Sequence, residues 1–341
     1  MPVNSAIAPT AVSKRAANIV ELGPVYKLVE QDFVAVNGLI PKQLTSDVDL
    51  VEEIGHHIIE SGGKRLRPLM VLLGAHCCGY PGDDHIRLAA IIEFLHTATL
   101  LHDDVVDRSD LRRGQPTANA IWGNAPSVLV GDFLYSRAFQ LMVEMNDMDI
   151  MAILSDATNT IAEGEVMQLA NVGNRDVNEE QYMEVIRCKT ALLFQAATHT
   201  AAVLACHETE TIAALRDFGL HFGLAYQLVD DWLDYAGDSE VMGKNVGADL
   251  AEGKLTLPLI YALARSSGAN VARIEKALSR KSATCLDDII SIVRDSGALD
   301  YTRNVARAQT ELAITCLDVL PDSDYRDAMK TLTHFCVARL S

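Results

Sequence analysis

The chain lacks any apolar run of the length a membrane-spanning helix needs, which excludes a helical membrane span. Its seven cysteines, Cys77, Cys78, Cys188, Cys206, Cys285, Cys316 and Cys336, form no C-x-x-C pair. Their odd number and scatter exclude a disulfide framework and a zinc module, and point to a reducing compartment, so a cytoplasmic location is expected. Basic residues are scarce: 29 Lys and Arg stand against 46 Asp and Glu, a formal charge of −17. Such a field excludes nucleic acid as the main partner. It leaves room for a phosphorylated small molecule held by a few clustered cations. No linker-like stretch and no internal repeat divides the 341 residues. One domain over 21–341 is therefore expected. Residues 1–20 carry no acid and include Lys14 and Arg15, and read as a flexible tail rather than a transit peptide. Strand-like alternation between hairpin turns is missing.

What is present is helical periodicity. Apolar residues recur at three- and four-residue spacing in Ile86–Leu101, Val128–Val143, Ile150–Ala170, Gln181–Ala205, Thr211–Tyr235 and Ile289–Leu317. Breakers such as Tyr80-Pro81-Gly82-Asp83, Arg113-Gly114-Gln115-Pro116 and Gly123-Asn124-Ala125-Pro126 fall between the runs. With 49% apolar residues, a large core is available. Several helices are apolar on most faces and belong inside a bundle. The fold class is all-α, a large single-domain bundle of ten or more helices around a central cavity.

Two aspartate clusters follow buried-looking helical runs. In Asp103-Asp104-Val105-Val106-Asp107, the first and last residues share one helix face. Like charges there repel by a few tenths of a kcal/mol, and carboxylates beside an apolar wall need a cation. Hard oxygens of this kind suit Mg²⁺ shared with substrate phosphates. The pattern recurs in Asp230-Asp231-Trp232-Leu233-Asp234, with Gln227 on the stripe of Asp231 and Asp234. Two such motifs predict carboxylate walls facing one cavity, with Mg²⁺ ions and a diphosphate between them. Gly219 and Gly223, four apart, predict close approach of a second helix.

A diphosphate also needs protein cations. Ser61-Gly62-Gly63-Lys64-Arg65-Leu66-Arg67-Pro68 ends one helix and starts another, with Lys64 and Arg67 able to point the same way. Guanidinium groups match phosphate oxygens through paired hydrogen bonds. Arg112 and Arg113 are adjacent, so their side chains diverge and each can serve a different phosphorylated substrate. Lys189, Lys244 and Lys254 are further candidates, the latter two in a glycine-containing segment able to close over phosphates.

Together these stretches resemble the trans-isoprenyl diphosphate synthase family. The match runs in order through GGKRLRP (62–68), LLHDDVVDRSDLRRGQPTAN (100–119), EGEVMQLA (163–170), KTALLF (189–194), GLAYQLVDDWLDYAGD (223–238) and GKNVGADLAEGKLTLPLI (243–260). It is nearest the bacterial long-chain subgroup, whose products become quinone side chains. The resemblance implies that Asp103, Asp107 and Asp230, supported by Asp234, hold Mg²⁺, three ions per site. It implies that Arg112, Lys189, Thr190, Gln227, Lys244 and Lys254 hold an allylic diphosphate. Lys64, Arg67, His96 and Arg113 would hold isopentenyl diphosphate. Asp103, Asp107, Lys189 and Asp230 would then be the catalytic set. A homodimer is implied as well.

Product length follows from the residues before the first motif. A helix rises about 5.4 Å per turn, roughly one isoprene unit. A chain growing toward the helix N-terminus would meet Thr99, Ala98 and Leu95. In the family, bulky aromatics at the first two of these positions stop growth early. Here both are small, so a product of about forty carbons is expected. Three rivals remain. A di-iron bundle would use Glu53-x-x-His56 and Glu93-x-x-His96. A terpene cyclase would not need the GGKRLRP site. A non-catalytic subunit would lose the aspartates.

Overall fold

In the computed structural model, residues 22–205, 208–236, 247–280 and 286–340 are described. The tail 1–20 and Lys244 lie outside them. The described chain is helical nearly throughout, as the periodicity predicts. Helices α1 (Gly23–Leu28), α2 (Glu30–Gln43), α3 (Asp49–Glu60) and α4 (Leu66–Cys77) precede the long α5 (Asp84–Val106). Then come α6 (Ala118–Trp122), α7 (Asn124–Met145), α8 (Met148–Asn171), α9 (Glu179–Ile186), α10 (Leu192–Ala205) and α11 (Thr209–Ala236). The C-terminal part holds α12 (Ala248–Glu252), α13 (Leu257–Arg265), α14 (Ala269–Arg280), α15 (Leu286–Asp295), α16 (Ala298–Cys316) and α17 (Asp324–Ala338).

Helix α5 is apolar on several faces and is enclosed accordingly, with Leu88, Ile91, Ile92, Phe94, Leu95 and Leu101 all buried. Each such side chain contributes about 1.5–3 kcal/mol of burial. Helix α5 packs chiefly on α7, and α11 chiefly on α10 and α16. The glycine pair of α11 does what its spacing predicts. A Cβ on Gly223 would come within 2.5 Å of the Ala191 Cα, and one on Gly219 would overlap Thr198 Oγ1. Only hydrogen at these positions lets the two backbones meet.

Three expectations are corrected. The run Gln181–Ala205 is not one regular helix, because Arg187–Ala191 forms a π-helical turn between α9 and α10. The run Ile289–Leu317 is broken at Ser296-Gly297, where Gly297 takes φ 80° and ends α15 before α16 begins. A hairpin does exist: Leu111–Arg112 (β1) pairs antiparallel with Gln115–Pro116 (β2). Its two-residue turn, Arg113-Gly114, has φ 54° and 76°, as a tight hairpin turn of this hand requires. Strands of two residues are too short to show alternation.

Candidate active site

The C-terminal end of α5 presents the first motif. Asp103 and Asp107 point to one side, and each meets an ammonium group from a distant part of the chain. Lys189 Nζ, in the π-turn, lies 3.6 Å from Asp103 Oδ2. It also donates to Glu165 Oε2 at 2.6 Å and Gln168 Oε1 at 2.8 Å, both on α8. Lys254 Nζ donates to Asp107 Oδ2 at 2.9 Å and pairs with Glu252 Oε2 at 2.6 Å. Burial raises the Asp103 carboxyl above the usual range, Lys189 pulls it back and Asp107 pushes it up again. Burial and the Asp103 charge push Glu165 up to about 7. Burial opposes the charge of Lys254, yet Asp107 and Glu252 hold its ammonium above the ordinary lysine range. The donor set is hard oxygen with more acid than the two lysines balance, which fits Mg²⁺.

Asp104 does something different. It is fully buried and accepts a bidentate pair from Arg112, Nε at 3.0 Å and Nη2 at 2.7 Å to Oδ1. Arg112 is thereby fixed beside the motif. Arg113, one residue on, turns the other way and packs over the glycine loop. A Cβ on Gly63 would sit 2.5 Å from Arg113 Nη1, so that glycine is what admits the guanidinium. The divergence expected of the adjacent arginines is therefore present.

The cations of the glycine loop gather near the same place. Arg67 Nη1 lies 3.2 Å from His96 Nε2, and its guanidinium stacks 4.0 Å over the Phe194 ring. Burial lowers Arg67 to about 10. Burial, reinforced by the Arg67 and Arg113 charges, holds His96 well below the ordinary histidine range, so its ring is neutral. Burial also lowers Lys64, helped by Arg339 and opposed by Asp230. Arg65 Nε is 3.9 Å from Glu93 Oε1. With Arg65, Arg67 and Arg113 around them, Glu93 and His96 sit in a cationic setting that repels a metal ion. The di-iron reading fails on that ground.

The second motif is organised unlike the first. Asp230 pairs with Arg339 Nη2 at 3.7 Å, with 43% of its side chain exposed. Asp231 is buried and accepts from Tyr182 OH and from Gln227 Nε2, both at 2.6 Å. Asp234 is buried and accepts from the backbone N–H groups of Ala248 and Asp249 at the start of α12, at 3.1 and 3.2 Å. Gln227 in turn accepts from Thr190 Oγ1 at 2.9 Å. A continuous path therefore runs from Asp231 through Gln227 and Thr190 to the π-turn and Lys189.

Of the proposed chain-length residues, Thr99 is half-buried one turn below Asp103, while Ala98 and Leu95 are fully buried. Sequence reasoning missed Arg339 and Glu252, for which no local signal exists. It also assigned no role to Glu165 and Gln168, although their three-residue spacing on one helix face would have found them.

Comparison with known proteins bears on the whole arrangement. A family model described as polyprenyl synthetase matches residues 48–295. The chain is 47% identical over 319 residues to the octaprenyl diphosphate synthase of Escherichia coli (strain K12), covering 93% of this chain and 99% of that one. It is 47% identical over 313 residues to an all-trans-nonaprenyl-diphosphate synthase (geranyl-diphosphate specific) of Rhodobacter capsulatus, covering 92% and 96%. Among solved structures, it is similar to a polyprenyl synthase from Caulobacter crescentus CB15 complexed with calcium and isoprenyl diphosphate. That match has a TM-score of 0.90 at 46% identity and covers 94% of this chain and 98% of the other.

Proposed function

The chain belongs to the polyprenyl synthetase family and is a long-chain prenyltransferase, and from that premise we propose that it adds isopentenyl diphosphate units head-to-tail to an allylic diphosphate such as farnesyl diphosphate, ending at about forty carbons. The observation that carries this reading is the convergence of Lys189 on Asp103 and of Lys254 on Asp107. It gathers acids and cations from α5, α8, the π-turn and the residues around α12 at one place.

Asp103, Asp107 and Asp230 are the metal-holding carboxylates, with Asp234 supporting them by fixing the start of α12. Mg²⁺, when bound, supplies Lewis-acid stabilisation of the leaving diphosphate. Lys189, Thr190, Gln227, Arg112, Lys254 and Lys244 hold the allylic diphosphate. As its C–O bond ionises, these groups meet the charge that develops on the departing oxygens. Lys64, Arg67, His96 and Arg113 hold isopentenyl diphosphate, whose alkene attacks the allylic carbon. The departed diphosphate then takes the proton. Arg339, beside Lys64 and Asp230, extends the cationic group. Closure over the site keeps out water, which would quench the cation.

The length rests on the small residues Ala98 and Thr99, and the product suits a quinone side chain. The octaprenyl synthase relative supports it, and the nonaprenyl relative makes a longer product the competing outcome. Incubation with farnesyl diphosphate, labelled isopentenyl diphosphate and Mg²⁺, followed by product sizing, tests both levels. No elongation overturns the enzymatic reading, and a main product of about forty-five carbons or more overturns only the length. Ala98→Tyr should shorten the products sharply.

The family resemblance implies a homodimer, for which Leu129 and Val143 of α7 and Met148, Val166 and Leu169 of α8, all more than half exposed, offer apolar surface. Among the described residues no helix is long and apolar enough to cross a membrane. Cys77, Cys188, Cys316 and Cys336 are free thiols, which fits the reducing cytoplasm.

A further inference from the structure

Helix α5 carries chemistry at both ends. Its C-terminal end holds Asp103. Its first turn holds His85, eighteen residues earlier and about 27 Å away along the axis. His85 is 2% exposed, and neither ring nitrogen has a hydrogen-bond partner. An imidazole so placed cannot satisfy its lone pair from water, and buried polar atoms without partners call for an explanation. Two other ligating side chains face it. Asp32 Oδ2, from α2, lies 3.4 Å from His85 Nε2. His76 Nε2, from the last turns of α4, lies 2.5 Å from the same Asp32 oxygen. The three ligand atoms fall within 4.8 Å of one another.

We infer that Asp32, His76 and His85 form a second metal site, one that takes a divalent ion of the zinc class. Two imidazole nitrogens and one carboxylate are the ligand chemistry of Zn²⁺ and its transition-metal neighbours, and not of Mg²⁺. Bonds of about 2.0–2.1 Å at a tetrahedral angle separate neighbouring ligand atoms by about 3.3 Å. The spacing of Asp32 Oδ2 and His85 Nε2 already matches. The Asp32–His76 contact has to open by under about 1 Å, which a rotamer adjustment of the partly exposed Asp32 supplies. That exposure also leaves a side through which water can complete the coordination.

The ring planes are set in advance. His76 stacks on Tyr325 at 4.8 Å and meets His85 edge-on at 5.1 Å. Tyr80 also meets His85 edge-on, at 5.6 Å. An ion here would staple α2, α4 and α5 together. Through Tyr325 it would also seat the first turn of α17, the helix that leads into Arg339 at the active site. The role is structural, away from the reacting atoms.

The test uses the full chain, stripped of metal and titrated with Zn²⁺ in excess Mg²⁺, which occupies the hard carboxylates of the active site. One Zn²⁺ per chain should bind, raise the melting temperature and, with Co²⁺ as a probe, give a visible spectrum of nitrogen ligation. His76→Gln and Asp32→Asn, at partly exposed positions, should each weaken binding about tenfold or more and cancel the rise in melting temperature. His85→Gln should do the same where it folds. Zn²⁺ binding equal in wild type and His76→Gln would overturn the site, as would no binding at all.

Discussion

The two aspartate motifs are near copies in sequence and unlike in structure. In the first, two of three carboxylates, Asp103 and Asp107, face the site, and one, Asp104, is turned into the protein against Arg112. In the second the ratio reverses. Asp230 is the exposed one, while Asp231 and Asp234 are spent on Tyr182, Gln227 and the amides that open α12. The first motif thus turns two carboxylates toward the site around one structural anchor. The second is a structural knot with one carboxylate left on its exposed side, which the proposed function makes its ligand. A repeated motif does not imply a repeated role, because each aspartate acts through whichever face the helix gives it.

That contrast can be broken experimentally. The largest effect should come from removing divalent ions with EDTA: turnover should vanish and return with Mg²⁺, while the far-ultraviolet circular dichroism stays unchanged. Arg112→Ala should next cost about 3–5 kcal/mol of folding stability, because it leaves Asp104 buried and unpaired. Denaturant titration reads this, and a loss below about 1 kcal/mol would show that Asp104 is solvated after all. Asp103→Asn should lower kcat about 10²–10³-fold with melting unchanged, since charge stabilisation rather than packing is removed. The smallest effect belongs to Asp231→Ala, which should cost about 1–3 kcal/mol by stranding Tyr182 and Gln227. If Asp231→Ala instead kept full stability and lost turnover as Asp103→Asn does, the two motifs would be equivalent and the contrast wrong.

Part of this asymmetry is legible in the amino-acid pattern alone. The i, i+4 spacing of Asp103 and Asp107 puts them on one face. The same periodicity, applied to the neighbours, also marks the inward aspartates. Thr97, Leu101 and Asp104 form one buried stripe of α5, and Leu224, Leu228, Asp231 and Tyr235 form another on α11. An acid falling on an apolar stripe needs a buried partner, and only its identity is left open. The other partners, Arg112 and Gln227 apart, come from distant segments, so one-dimensional pattern cannot supply them. The same limit hides Arg339 and Glu252. The break at Ser296-Gly297 has its local signal in the glycine, whereas the π-turn has none. Apolar spacing alone does not distinguish four residues per hydrogen-bonded ring from five.

That π-turn has a geometric consequence of its own. Its extra residue displaces everything after it by about 100° around the axis relative to an uninterrupted α-helix. The apolar stripe of α10 and the polar pair Lys189-Thr190 are thus phased independently of α9. One insertion lets a single rod aim Tyr182 at the interior and Lys189 at the site. Such turns give poorer hydrogen-bond geometry than the helices around them and recur where function fixes side-chain direction. As a phase shifter, the segment explains how a continuous helical run serves two unrelated surfaces. Deleting one residue there would keep the other side chains of the run and rotate the site out of alignment.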